Sequence, residues 1–477
     1  MANANNLPDA IFRAYDIRGI AHEQLDGDAV ELIAQAIGSE AVGEGITTLL
    51  VARDGRLSSA ELSERLVKGL LASGVDVVDL GMVPTPLLYF ATFTTQFGSG
   101  VMLTASHNPA NYNGLKVVFR QHCLADNQIQ DIKLRANKRN FTRGHGRYSQ
   151  ESVSENYFET ITSQVSLARP LKVVLDCGNA VPGQVAPTLF NKLDCDVVPL
   201  YCEVDGNFPA HHPDPTVPAN LVDLQRAVRE HQADIGFCFD GDGDRLGVVD
   251  EAGNIQDADA ILQLLAEDIV PRYPDKVVVF DVKCSNRLAR LVSDLGGRPR
   301  MHRSGHSFMK QAMLNHGAPL GGEYAAHFFI KDRWFGYDDG MYAAARLAEI
   351  LSRHEQAASE VFGRFSGSVS TPEIFIPVAE AEKFDVMARI QTLADFSDAK
   401  VLTIDGMRAE FDNGWGLVRA SNTVPALILR FEADDADSLK TIMSEFKALI
   451  CKADNSLELD NLIYRGQGQD QLSLITP

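Results

Sequence analysis

Three times along the chain an apolar run ends in aspartate, an amphipathic stretch follows, and a second apolar run closes the unit. The first unit begins at 46–54, which ends Val51-Ala52-Arg53-Asp54. It continues over 60–73, where Leu62, Leu66, Gly69 and Leu70 fall on one face at helical spacing, and closes over 74–80. The second occupies 171–176, 185–193 and 195–200; the third, 276–281, 286–295 and 298–301. Apolar runs bracketing a segment of 3.6-residue period predict strand, helix, strand, which is a parallel β-α-β crossover. Three such units at wide spacing predict three related α/β domains. After about residue 367 the pattern changes. Strands are expected over 373–378, 401–404, 407–411, 416–419 and 426–432, and helices over 381–393 and 437–450. Strands joined by short turns with helices to one side predict an α+β domain. The expected division is 1–151, 152–254, 255–366 and 367–453, followed by a polar tail over 454–477 expected to be disordered.

Composition narrows the class. A chain of 477 residues exceeds what one core can hold, so three or four domains are expected. It is 45% hydrophobic and 23% charged, as in soluble globular proteins, and no apolar run reaches the length of a membrane span. The N-terminus lacks a basic region followed by an apolar stretch, so no secretion signal is read. Seven scattered cysteines without a Cys-x-x-Cys pair fit a reducing cytoplasm rather than a disulfide framework or zinc site. The formal charge of −20 repels nucleic acid and anionic membranes. A phosphate site must then be a local exception, rich in Arg, Lys and backbone N–H groups.

Three segments carry chemistry. Thr104-Ala105-Ser106-His107-Asn108-Pro109 follows the apolar run Val101-Met102-Leu103, which puts a hydroxyl beside an imidazole at a strand end. Serine needs a base or cation to act as a nucleophile, and His107 and Lys116 are near in sequence. On its own the segment reads equally as a turn before proline. Asp240-Gly241-Asp242-Gly243-Asp244-Arg245 lies between two expected strands. Two carboxylates at ~4 Å repel by roughly 1 kcal/mol in water and more in protein. A hard divalent cation, Mg²⁺ or Ca²⁺, relieves that repulsion. The segment is not an EF-hand, because Arg245 stands where that loop needs glycine and strands flank it. Three aspartates leave a coordination sphere incomplete, and a phosphate oxygen on Ser106 would help to complete it. Arg419-Ala420-Ser421-Asn422-Thr423-Val424-Pro425 offers a guanidinium, two hydroxyls and an amide, which suits a phosphate or a plain polar hairpin.

Two further segments are less decisive. Gly321-Gly322-Glu323-Tyr324-Ala325-Ala326-His327 presents a carboxylate able to accept sugar hydroxyls, or two surface residues, without zinc-ligand spacing. Phe12-Arg13-Ala14-Tyr15-Asp16-Ile17-Arg18-Gly19 offers Tyr15 and Arg18, the latter for phosphate or for a local ion pair. The chain has neither Gly-x-x-x-x-Gly-Lys-[Ser/Thr] nor Gly-x-Gly-x-x-Gly, so neither an ATP-dependent kinase nor a dinucleotide enzyme is supported.

These segments, in this order over about residues 10–452, resemble the α-D-phosphohexomutases, and within them the bacterial phosphomannomutase/phosphoglucomutase branch. The resemblance implies three α/β domains with mixed sheets and a C-terminal α+β domain around a central cleft. It implies that Ser106 carries the phosphoryl group and that Asp240, Asp242 and Asp244, with the Ser106 phosphate, hold Mg²⁺. Arg18, Lys116, Arg245 and His306 would be catalytic. Tyr15, Lys283, Glu323, His327, Arg419, Ser421, Asn422 and Thr423 would bind substrate. The implied reaction interconverts hexose 1-phosphate and hexose 6-phosphate, of mannose or glucose, through a hexose 1,6-bisphosphate that is intermediate and activator. Expected partners are small phosphosugars, with no nucleic acid and no membrane, in a cytoplasmic monomer or weak homo-oligomer. Two other readings stay open: a Mg²⁺-dependent phosphatase with an aspartate nucleophile, and a non-catalytic phosphosugar-binding relative. One departure stands out. The branch reads Gly-Glu-Met-Ser-Gly-His where this chain has Gly322-Glu323-Tyr324-Ala325-Ala326-His327, so a hydroxyl expected beside the sugar is missing.

Overall fold

The structure, a computed structural model, describes residues 7–422, 424–457 and 459, together with the backbone of 463–464 and 473–474. Thr423 and most of the tail expected to be disordered lie outside the described residues. At the tail's start Leu459 is buried against the fourth-sheet core, and Ile463–Tyr464 pairs antiparallel with Ser473–Leu474.

Each of the three repeated units forms its parallel pair. Thr48–Arg53 lies beside Asp76–Met82, Lys172–Asp176 beside Asp196–Leu200, and Val277–Asp281 beside Arg298–His302. The intervening helices are Ser59–Ala72, Ala186–Lys192 and Asn286–Asp294. In the first of them Leu62, Leu66, Gly69 and Leu70 are buried, as the spacing requires. The helix expected over 185–193 runs Ala186–Lys192, with Pro187 in its first turn, where no intrahelical N–H is needed, and is preceded by a 3-10 turn, Val181–Gln184.

All three sheets are mixed, since antiparallel strands flank each parallel pair. In the first, Gly100–Leu103 runs antiparallel to Tyr112–Phe119, which in turn pairs with Ile17–Ile20. In the second, Ile235–Phe239 and Leu246–Asp250 form a hairpin. That sheet extends to Ile255–Gln256, past the expected boundary at 254, because a short hairpin folds the strand back onto Val248 and Val249. In the third, Leu320–Gly322 is parallel to Val277–Asp281 and antiparallel to Phe328–Ile330. The fourth sheet is wholly antiparallel and carries helices Lys383–Leu393 and Ala436–Ala453.

One continuous apolar core runs through the first three units, joining Phe90, Tyr157, Phe237 and Trp334. Every residue of helix Gly340–Ser352 is buried in it. The fourth unit has its own core and meets the third through a small apolar cluster, Val282 and Met301 with Trp415 and Leu417, and through polar contacts. Arg408 lies 3.7 Å above the Trp415 ring and donates to the Val282 and Cys284 carbonyls at 2.5 and 2.8 Å. Arg430 pairs with Asp259 at 2.9 Å. Such a seam constrains relative motion less than a shared apolar core does.

Candidate active site

The 104–109 segment turns sharply off strand Gly100–Leu103, and Ser106 adopts a left-handed backbone with φ 52°. A non-glycine residue there costs energy and persists only where its surroundings hold it. Two devices do so. The Ser106 N–H donates to Thr104 Oγ1 at 2.9 Å, and Thr104 donates to Asp54 at 2.7 Å. Arg56, which the motif search missed, reaches under the loop. It donates to the carbonyls of Ser106 (2.6 Å), Asn108 (2.7 Å), Pro109 (2.6 Å) and Tyr112 (3.1 Å), and pairs with Asp54 at 3.0 Å. The Ser106 hydroxyl then donates to Asp240 Oδ2 at 2.8 Å and lies 3.2 Å from His107 Nδ1.

The aspartate loop is the turn between Ile235–Phe239 and Leu246–Asp250. Gly241 is required there: a Cβ would lie 2.2 Å from the Ser106 carbonyl oxygen. Asp240, Asp242 and Asp244 are buried and bring one carboxylate oxygen each within 4.8 Å of one another. Lys116, on strand Tyr112–Phe119, donates to Asp242 at 2.7 Å and Asp244 at 2.6 Å. Burial would lower the Lys116 pKa, but Asp242 and Asp244 raise it instead. Burial would raise that of Asp242, but Lys116 holds it at about 2. Asp240 is pushed well above the carboxylate range by burial and by Asp244 and Asp242. Oδ1 of Asp242 and Oδ1 of Asp244 are buried without a hydrogen-bond partner. Clustered hard oxygens of this kind, two of them unpaired, fit a Mg²⁺-sized cation.

The expected substrate-binding groups Lys283 and Glu323, and His306 with them, come from the C-terminal ends of the parallel strands of the third sheet, where α/β folds collect ligand contacts. Lys283 follows Val277–Asp281, His306 follows Arg298–His302, and Glu323 follows Leu320–Gly322. Glu323 accepts from the Gly305 N–H at 2.6 Å, and burial raises its pKa. Tyr15 packs edge-on against His306, ring centroids 4.8 Å apart, and burial and Asp16 push its pKa up to about 12. Arg245 donates to His327 Nε2 at 3.0 Å. Asp338, absent from the sequence reading, lies 3.1 Å from His327 Nδ1 and accepts from Lys310 at 2.8 Å; Lys310 also lies 3.0 Å from His306 Nδ1. Asp244, His327 and Asp338 form a second trio within metal-ligand reach, but Arg245 and Lys310 already balance its charge. Burial and Lys310 push the His306 pKa well below its usual value; burial, Arg245 and Arg18 do the same to His107.

Arg419 ends strand Gly414–Ala420 and pairs through Nε with Asp405 at 2.9 Å, while its Nη2 is buried without a partner. Lys283 lies 3.0 Å from Glu373. A cleft of about 200 Å³ is lined by Tyr15, Arg18, Ser106, Lys116, Asp244 and Arg245 on one side. Lys283, His306, Glu323, His327, Arg419, Ser421 and Asn422 line the rest. Asp240 and Asp242 sit behind that wall, and Thr423 lies outside the described residues. Arg18 also pairs with Asp16 and donates to Asn108 at 2.5 Å, so it combines the local pairing and the cleft position.

Tyr324 does not line the cleft. Its ring lies under the Arg430 guanidinium, 3.5 Å from centroid to Cζ, in the seam with the fourth unit. Ala325 faces the cleft, so Tyr324 does not replace the absent hydroxyl.

The cleft defines a class before any comparison is made: a multidomain α/β protein with a hydroxyl and caged carboxylates at one end of a cavity and cationic side chains at the other. Comparison with known proteins narrows the class. Models of the phosphoglucomutase/phosphomannomutase alpha/beta/alpha domains I, II and III match residues 9–143, 155–253 and 257–366, and the model of that family's C-terminal domain matches 373–449. The chain belongs to the phosphoglucomutase/phosphomannomutase family. A phosphomannomutase/phosphoglucomutase of Pseudomonas aeruginosa is 48% identical over 456 residues, covering 96% of this chain and 98% of that one. A phosphoglucomutase of Neisseria meningitidis is 45% identical over 449 residues, covering 93% and 97%. The crystal structure of a phosphoglucomutase/phosphomannomutase family protein from Burkholderia thailandensis matches with a TM-score of 0.91 at 43% identity, covering 95% of this chain and 99% of that one. Among the described residues no helix is long and apolar enough to cross a membrane.

Proposed function

We propose that the chain is a phosphosugar mutase that interconverts the 1- and 6-phosphates of mannose or glucose through a phosphorylated Ser106. The observation that carries this is one cleft with two separate groups of lining residues suited to phosphate. Ser106 stands at one, and Lys283, Arg419, Ser421 and Asn422 at the other, with Glu323 and His327 between. A phosphatase needs only the first. A mutase needs both, because its substrate's own phosphate must be held while the free hydroxyl faces the donor.

A sugar hydroxyl attacks phosphorus on Ser106, the P–Oγ bond breaks and Oγ keeps the electron pair. The attacking hydroxyl passes its proton to a base in the cleft, where His306 and His327 stand. Reorientation of the resulting bisphosphate and the reverse transfer restore the phosphoserine. Arg18, Lys116 and Arg245 balance the charge on the transferring group, and Glu323 orients the sugar by accepting from its hydroxyls. Asp240, Asp242 and Asp244 would hold a Mg²⁺, which supplies Lewis-acid stabilisation of phosphoryl charge when bound. Asp240, at 2.8 Å from Ser106 Oγ, keeps the serine in place and is poorly exposed for an aspartyl nucleophile. The same reading divides the chain at about 151, 256 and 366, with the phosphate-binding loop in the last domain. It also places the enzyme in the cytoplasm as a monomer or weak homo-oligomer acting on phosphosugars alone.

Peptide mass spectrometry of the purified protein is expected to find phosphate on Ser106, and Ser106→Ala and excess chelator are each expected to abolish turnover of mannose 1-phosphate and glucose 1-phosphate. Phosphate on an aspartate, with Ser106→Ala fully active, would overturn the proposal.

A further inference from the structure

A second cavity, of about 280 Å³, opens between the first and third domains on the side of Lys310 away from the cleft. Its walls come from helix Thr85–Thr94 and strand His122–Cys123 on one side. Helix His306–His316 and the segment 331–337 form the other.

Three properties mark it as built for a ligand. First, its walls are flat. Phe93, Phe335 and Tyr337 lie nearly parallel, with Phe93 and Phe335 centroids 5.2 Å apart at 27° and Phe335 and Tyr337 at 2°. Aromatic faces offset in this way accept another ring edge-on or by stacking. Second, buried hydroxyls are poorly partnered. The Ser307 hydroxyl has no hydrogen-bond partner, and those of Tyr89 and Tyr337 meet only the Cys123 thiol and the Trp334 ring N–H, though each residue is at most 4% exposed. Buried polar atoms short of partners are costly, and these three, one on the first wall and two on the other, can donate to a ligand between the walls. Third, the charge is one-sided. Lys310, Lys331 and His122 line the cavity and no Asp or Glu does, in a chain with 64 acidic residues. Lys310 Nζ stands 4.1 Å above the Tyr89 ring and is partly neutralised by Asp338 behind it, whereas Lys331 is exposed at the rim.

We propose that this cavity is a second binding site that takes a planar aromatic ring bearing one anionic group, with the ring against Phe93 and Phe335 and the anion toward Lys331 and these hydroxyls. Nothing in the phosphoryl-transfer cleft is needed for it. The two sites have no lining residue in common, and Lys310 links them through its contact with His306.

The test is a fluorescence titration of the full chain with 1-anilinonaphthalene-8-sulfonate, a planar aromatic anion that brightens in apolar surroundings. Binding of one probe per chain is expected, undisturbed by saturating glucose 1-phosphate. Lys331→Glu, at an exposed position that should not affect folding, is expected to weaken binding at least tenfold, as is Phe335→Ala. The uncharged analogue N-phenyl-1-naphthylamine is expected to bind at least tenfold more weakly than the sulfonate. Displacement by glucose 1-phosphate, affinity unchanged in Lys331→Glu, or equal affinity for the uncharged analogue would each overturn the proposal. Because the readout is fluorescence, these outcomes are separate from any failure of the mutase reading.

Discussion

Arg56 offers the sharpest test of how the Ser106 loop is held. It is 2% exposed and absent from the cleft wall, yet it donates to four carbonyls between Ser106 and Tyr112. Arg56→Met removes all four contacts and the ion pair with Asp54. Breaking a buried pair costs about 3–5 kcal/mol. The lower end applies here, because Asp54 keeps hydrogen bonds from Thr104 and Ser59 at 2.7 and 2.5 Å. The left-handed Ser106 then loses its support, and displacement of a nucleophile by ~1 Å costs on the order of 100-fold in rate. The expected outcome is kcat lowered about 100-fold with KM within about twofold, since no cleft contact is touched. Arg56→Lys is expected to keep most of the stability but little of the rate, because one ammonium with three donors cannot reach four carbonyls and a carboxylate. A coupled glucose 1-phosphate assay gives the rates, and amide hydrogen exchange over 104–119 reports the loop. Wild-type kcat in Arg56→Met, or a loss confined to KM, would refute the reasoning.

On the proposed reading Arg419→Ala removes a charged phosphate contact of ~1.5–3 kcal/mol, so kcat/KM is expected to fall roughly ten- to a hundredfold, equally for mannose and glucose substrates; steady-state kinetics on both sugars checks this. Ala325→Ser adds one neutral hydrogen bond to the cleft and should raise kcat/KM by at most about tenfold, whereas Glu323→Ala should lower it by considerably more. Tyr324→Met should loosen the seam under Arg430 and change both sugars alike, as a melting curve and paired kinetics would show. His211 is hydrogen-bonded to Asp176 at 3.0 Å, and although burial opposes it, that partner raises the His211 pKa. Its stabilisation is therefore complete below about pH 6.5 and is lost as pH rises through the raised value, so the melting-temperature gap between wild type and His211→Asn should be wider at about pH 5.5 than at about pH 8.5.

The fold was legible where local pattern decides it. Each repeated unit announced a strand, an amphipathic helix and a parallel strand, and Leu62, Leu66 and Leu70 are buried as their spacing demands. Periodicity does not say which strand lies next to which. The antiparallel partners, such as Tyr112–Phe119 against Ile17–Ile20, join segments some hundred residues apart, and no local signal carries that pairing. The extra strand Ile255–Gln256 was lost for a different reason, since two residues are too few to show alternation.

In the site, legibility followed the range of the contacts. Ser106, Asp240, Asp242, Asp244 and Arg419 stand in short segments where several chemically matched residues are adjacent, so the segment itself signals the chemistry. Arg56 acts on a loop 50 residues away and recognises carbonyls, which every residue has, while Lys310 and Asp338 pair with each other across 28 residues. Tyr324 shows the limit most clearly. Alignment with the Gly-Glu-Met-Ser-Gly-His pattern puts it in a loop expected near the sugar, yet Glu323 to Ala326 is a tight turn, closed by the Ala326 N–H on the Glu323 carbonyl at 3.0 Å, and neighbouring side chains of a turn diverge. Glu323 and Ala325 face the cleft, and Tyr324 between them faces the fourth domain. The position is thus read by Arg430, which itself pairs with Asp259 and donates to the Lys283 carbonyl. A bulky aromatic at this point thus tightens the seam between the third domain and the fourth, and on the proposed reading the choice of sugar falls to Glu323, Ala325 and His327, which line the cleft.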